Sequence, residues 1–166
     1  MAILTTTQLD STCNTIVNSM AVLYPETLAS YQMLYLFGLR WIEVFELTRW
    51  SQPTFDFYEV DTAKNSSNRL IPVATVPPVY KNLIQSGNNV ILQFGYMSMK
   101  RYLKRYTPYP RMFSGNKNIS LHIFRYNRAR LMSDDGYSNQ EIADYFGEVS
   151  LQNMELYIDS IIDDGL

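Results

Sequence analysis

The sequence predicts one mainly helical domain carrying a small antiparallel sheet, and three observations lead there. Apolar residues recur at helical spacing through residues 31–47, YQMLYLFGLRWIEVFEL. Residues 54–60 alternate aromatic and polar side chains ahead of the polar run Lys64-Asn-Ser-Ser-Asn68, the pattern of a strand entering a turn. A length of 166 residues, without internal repeat, low-complexity tract or Gly/Ser linker, fits a single domain over 1–166 with its own core.

Taken in order, residues 5–20 and 25–37 read as helices, the second with Pro25 near its start, where a missing N–H costs no hydrogen bond. Gly38 breaks the pattern of 31–47, so the chain turns there between two helices. Residues 54–60 and 69–74 pair as a β-hairpin with Lys64 near its tip. After Pro77-Pro78, residues 79–85 form a short helix and 94–106 another, followed by a loop over 111–120 that holds Gly115 and two Asn. Residues 122–133 read as a helix ended by Gly136. Ser138, with Glu141 three residues on, makes a capping box for a helix through Tyr145 that Gly147 closes. Residues 150–162 form a final amphipathic helix, leaving an acidic tail too short for another element.

A hydrophobic fraction of 46% with 18% charged residues excludes a disordered chain. The single Cys13 excludes an internal disulfide and, with one His, leaves too few ligands for a multi-Cys zinc site, so neither metal nor cofactor is expected. No stretch approaches the roughly 20 apolar residues of a membrane span, and residues 1–10 lack the pattern of a signal peptide; a cytoplasmic location is expected. The net charge of -2 hides a sharp division. Residues 1–61 carry two Arg against seven acids, 62–133 carry twelve Lys and Arg with no acid, and 134–166 carry nine acids with no Lys or Arg. The basic middle suits contacts to a polyanion, because each cation that meets a phosphate releases condensed counterions. It equally suits a solvated face paired with the acidic flanks.

With the elements in order, five residues stand out: Arg40 in a Gly-Leu-Arg turn, Lys64 on the hairpin, His122 and Arg125 as His-x-x-Arg, and Tyr157 on the last helix. The segment FGLRWIEVFELTRW resembles the first conserved box of the tyrosine recombinases and phage integrases, here Gly38, Leu39, Arg40 and Glu43. HIFRYNRARLMSDDGYSNQEIADYFGEVSLQNMELY resembles their second box, giving His122, Arg125, Phe146-Gly147-Glu148 and, nine residues beyond Glu148, Tyr157. Lys64, followed by Arg69 and Pro72, matches the hairpin lysine that the family carries between the boxes. The resemblance covers about residues 25–162.

The resemblance implies a tyrosine recombinase catalytic core that breaks and rejoins DNA through a 3′-phosphotyrosyl link on Tyr157, without ATP or metal. The chemistry explains the residue types. A pentacoordinate phosphorane gathers negative charge on its non-bridging oxygens, and the forked guanidiniums of Arg40 and Arg125 suit it. A Tyr hydroxyl with a pKa near 10 needs its proton accepted, a task for His122, while Lys64 is the candidate acid for the departing 5′-oxygen. Arg69, Lys100, Arg101, Lys104, Arg105, Lys117 and Arg128 are the candidate DNA-contacting cations, with Arg69 the nearest substitute for Lys64. Implied partners are double-stranded DNA, further copies of the chain in a tetrameric synapse, and an accessory DNA-binding protein, in a bacterial or phage-infected cell. The DNA-clamping domain that family members carry ahead of the catalytic one has no counterpart in these residues.

Two positions depart from the family pattern. Glu148 stands where the family has His or Trp, and a carboxylate there repels the phosphate unless it is protonated or turned toward an Arg. Tyr126 replaces the His often found after the second Arg. The alternatives are a catalytically weakened DNA-binding or regulatory homologue of the same fold, a type IB topoisomerase-like activity, and a helix-turn-helix over 136–162. The last puts Glu155, Asp159 and Asp163 in a phosphate-lined groove with no compensating cation. Taken singly, Arg40 also reads as a solvated helix-end cation and Arg125 as a surface partner of the acidic tail.

Overall fold

The computed structural model describes residues 2–3, 5–62, 68–87, 97–98, 101, 123–147 and 162–163. Over these residues the molecule is mainly helical, with a three-stranded antiparallel sheet. Helix α1 (Thr6–Leu23) starts where Thr5 and Gln8 cap each other's backbone N–H groups, at 3.1 and 2.9 Å. It buries Leu9, Thr12, Cys13, Ile16, Val17 and Met20, the three-and-four spacing of one helical face. The predicted helix over 25–37 opens with a 3₁₀ turn (Pro25–Thr27), in which the Thr27 hydroxyl donates to the Tyr24 carbonyl at 2.7 Å, before α2 (Leu28–Phe37) begins.

Gly38 ends α2 in the left-handed conformation, φ +60°, and its N–H bonds the Leu34 carbonyl. No side chain fits at this position. A Cβ would lie 2.7 Å from Arg128 Cβ and 2.8 Å from the Phe146 ring. The turn leads into α3 (Trp41–Phe45) and a 3₁₀ turn (Leu47–Arg49).

The sheet follows in the order β2 (Trp50–Ser51), β3 (Phe57–Val60), β4 (Arg69–Pro72). Strand β2 has two residues, too few for any periodicity to reveal. β3 starts at Phe57 rather than at 54, because residues 53–56 bend after Pro53 and leave Phe55 exposed. β4 stops at Pro72 rather than at 74: proline has no N–H for the ladder, and a 3₁₀ turn (Val73–Thr75) takes over. The register pairs Tyr58 with Ile71 and Val60 with Arg69, and all four face inward. Residues 63–67, with Lys64 at the expected hairpin tip, lie outside the described residues.

Helix α4 (Pro78–Ser86) matches the expected short helix. Met97, Ser98 and Arg101 are helical; the rest of the helix expected over 94–106 and the loop over 111–120 lie outside the described residues. Helix α5 (Ile123–Asp134) and helix α6 (Asn139–Phe146) complete the bundle, α6 with the expected capping box of Ser138 and Glu141 and with Gly147 at its end. The expected final helix lies outside the described residues except at Ile162, where the structure corrects it. Ile162–Asp163 is strand β5, paired antiparallel with β1 (Ala2–Ile3), so the acidic tail does form an element and a second, two-stranded ladder exists. Backbone pairing needs no apolar pattern in the two residues that make it.

Helices α1, α2 and α5 pack on one another and form most of the core. Trp50 ties the sheet to it, edge-on to Tyr58 and Tyr80, while its indole N–H donates to the Glu43 carbonyl at 2.6 Å. The Tyr80 hydroxyl donates to the Val44 carbonyl, also at 2.6 Å, which fixes α4 against α3. No helix among the described residues is long and apolar enough to cross a membrane.

A candidate active centre of buried arginines at the α2–α3 turn

The Gly38 turn puts Arg40 at the start of α3, where its N–H and guanidinium both meet one carboxylate. Glu43 Oε1 accepts from the Arg40 N–H at 2.7 Å and Oε2 from Arg40 Nη1 at 3.2 Å. This is half of a capping box; a guanidinium has no acceptor to supply the other half. Arg40 is 3% exposed and Glu43 1%, so Arg40 is not a solvated helix-end cation.

Arg125 reaches the same carboxylate from α5. Its Nη1 lies 3.9 Å from Glu43 Oε1 and donates to the Gly38 carbonyl at 3.2 Å, across 87 residues of sequence. Its guanidinium carbon sits 4.4 Å from the centre of the Phe146 ring, a cation–π distance. At 0% exposure Arg125 is a buried side chain and not a surface one. Three residues on, Arg128 Nη2 donates to the Tyr35 carbonyl at 3.0 Å. Arg125 and Arg128 thus bind carbonyls at the C-terminal end of α2, groups that have no partner inside the helix and that favour positive charge. Arg128, expected among the DNA-contacting cations, is half-buried and spends this contact on α2.

Arg69 joins from the sheet. It occupies an inward position of β4 and is 4% exposed, with its guanidinium carbon 4.0 Å from the Tyr145 ring centre, 5.6 Å from Phe146 and 6.0 Å from Phe37. The same Phe146 ring therefore meets both Arg69 and Arg125. Burial pushes the Arg69 guanidinium down to about 10, with Arg125 adding to the fall and Tyr145 and Glu43 opposing it. It remains charged at neutral pH. Arg69 had been expected to face DNA from the hairpin; its place is inside the centre. The signal was strand parity, since Arg69 shares a face with Ile71 while Leu70, the apolar residue between them, is 59% exposed.

The structure therefore brings together Arg40, Glu43, Arg69 and Arg125, from three separate parts of the sequence. Of the other candidate site residues Arg101 is exposed, and Lys64, Lys100, Lys104, Arg105, Lys117, His122, Glu148 and Tyr157 lie outside the described residues. No group of three or more His, Cys, Asp or Glu among the described residues is arranged to hold a metal ion. Cys13 is buried, and burial with Asp10 nearby raises its thiol well above the usual range, so the thiol is unreactive. No family model, curated protein or solved structure matches the chain.

What such a centre does chemically follows from its charge. Guanidiniums held by packing and hydrogen bonds need no reorganisation to meet an incoming anion. In a site of low dielectric their attraction for a tetrahedral oxyanion far exceeds that of a solvated Lys.

Proposed function

We propose that the chain is the catalytic core of a DNA strand transferase of the tyrosine recombinase type. One observation carries this reading. Arg40 and Arg125, the two arginines of the two motif segments, converge on Glu43, the acid of the first segment, although the sequence keeps the segments far apart.

In this reading Arg40 and Arg125 hold the non-bridging oxygens of the scissile phosphate and stabilise the charge gained at the phosphorane. The Tyr157 hydroxyl attacks phosphorus and His122 takes its proton. The bond from phosphorus to the 5′-oxygen breaks, and Lys64 gives that oxygen a proton. A 3′-phosphotyrosyl link and a free 5′-hydroxyl remain, and attack by another strand's 5′-hydroxyl reverses the sequence, so no energy source is consumed. Double-stranded DNA is the substrate, several copies of the chain act together on it, and the cytoplasm of a bacterial or phage-infected cell is the setting.

The test is covalent capture. Nicked duplexes randomised around the nick are incubated with the protein and resolved on a denaturing gel, and the adduct is mapped by peptide mass spectrometry. Wild type yields an adduct on the Tyr157 peptide, and Tyr157→Phe yields none. An adduct that survives Tyr157→Phe, or a randomised pool that gives no adduct with wild type, overturns the reading.

A further inference from the structure

We propose that Arg69 is a third anion-binding residue of the arginine centre, with Tyr145 holding its guanidinium so that Nη1 meets an oxygen of the bound tetrahedral oxyanion. Taking that anion to be a DNA phosphate rests on the strand-transfer reading; the binding of an anion does not.

The argument starts from the strand. Inward positions of β3 and β4 hold Tyr58, Val60 and Ile71, all apolar or aromatic, and at the fourth the chain places an arginine. Among the described residues Arg69 meets no carboxylate within ion-pair distance, and its buried Nη1 has no hydrogen-bond partner. What surrounds it is aromatic: Tyr145, Phe146 and Phe37, with a further hydrogen bond to Tyr145. A buried charge left in this state is costly, and an apolar residue of similar volume would serve the core as well or better. The expense has a function if the missing partner is a ligand. Arg125, whose guanidinium meets the same Phe146 ring and whose charge acts on Arg69, points to a ligand near both cations. The Tyr145 ring against Arg69 is itself half-buried. A flat ring stacked on one face of a guanidinium restrains its plane and leaves its edge, where the N–H groups point, to face an anion.

This role differs from packing in a way that melting experiments resolve. Thermal unfolding is followed during titration with sodium sulfate against sodium chloride of matched ionic strength, for wild type, R69M, R69K and R125Q. Wild type melts higher in sulfate. R69M melts at or above the wild-type temperature in chloride, because an uncompensated buried charge is gone, and its sulfate midpoint rises at least about tenfold, as expected for loss of a charge-assisted bond. R69K, which keeps the charge but loses the fork, lies between. If R69M does not fold, R69K decides: a weakened midpoint supports the proposal and a wild-type midpoint overturns it. A wild-type sulfate response in R69M, or no response to sulfate beyond chloride in the wild-type protein, also overturns it. Loss of the response in R125Q with retention in R69M removes Arg69 and leaves the Arg40 and Arg125 pair standing. Capture of the Tyr157 adduct is independent of all these outcomes.

Discussion

Helix α5 faces two polar centres, each built on one carboxylate, and they are made differently. On one side Glu43 meets the guanidiniums of Arg40 and Arg125, all three groups fully or almost fully buried. On the other, Asp10 Oδ1 accepts from the Tyr35 hydroxyl at 2.8 Å and from Asn127 Nδ2 at 3.0 Å, and Asn14 donates to the same tyrosine at 3.2 Å. The Asp10 centre uses neutral donors on three helices, which satisfy an acid at the protein's edge and pin α1, α2 and α5 together. The Glu43 centre concentrates cations in the interior. Neutral donors fasten the helices around Asp10, whereas the cations around Glu43 also carry charge into the interior, which is what the proposed anion binding uses.

The comparison breaks most sharply at the carboxylates themselves. Glu43→Ala leaves buried guanidiniums without their shared carboxylate and is expected to cost about 3–5 kcal/mol, against about 2 kcal/mol for Asp10→Ala, whose partners carry no charge. Urea unfolding checks both. Equal losses would mean that the two centres are the same kind of structural bond.

Next comes the turn that brings Arg40 and Arg125 together. Gly38→Ala adds a Cβ within 2.8 Å of two side chains at φ +60° and is expected to cost about 2–4 kcal/mol. Gly87→Ala, at φ +65° with nothing within 4 Å, tests the conformation alone and is expected to cost about 1 kcal/mol. A calorimetric difference near zero between the two would show that the α2–α3 turn is not tightly packed against α5 and α6.

The smallest effect sharpens the Asp10 side. Burial, then the bond to Asp10 and its charge, push the Tyr35 hydroxyl up to about 12, against about 10 in an unfolded chain. The stabilisation is therefore complete below about pH 10 and is lost as the pH rises towards about 12. Tyr35→Phe is expected to cost about 1 kcal/mol at neutral pH, with the gap between variant and wild type closing over that alkaline range. A gap that stays constant to about pH 12 would place the Tyr35 contribution in ring packing instead of the hydrogen bond.

Legibility in the sequence follows how much of each feature is local. The capping box of Ser138 and Glu141, the break at Gly38 and the hairpin strands are written in neighbouring residues, and the structure has them. Strands β1, β2 and β5 have two residues each, and no alternation can be read in two residues. Arg40, Glu43 and Arg125 were legible as motif members, but their burial was not, because an arginine on a helix is ordinarily solvated. Arg69 was read as facing outward for the same reason. Only the parity set by Tyr58, Val60 and Ile71 shows which face of β4 enters the core. Arg128 was read as a surface cation because nothing local reveals that the end of α2 lies beneath it.

The most direct measurement compares the two faces of α5 in one assay, the rate of covalent adduct formation on a captured nicked duplex, with each variant checked for folding. Arg125→Gln removes a cation of the Glu43 centre, and Asn127→Ala removes a donor of the Asp10 centre two residues away. The account predicts a fall of about 100-fold or more for Arg125→Gln, the scale of a lost transition-state contact, and less than about threefold for Asn127→Ala. Comparable falls in the two variants, or a near wild-type rate in Arg125→Gln, would contradict it.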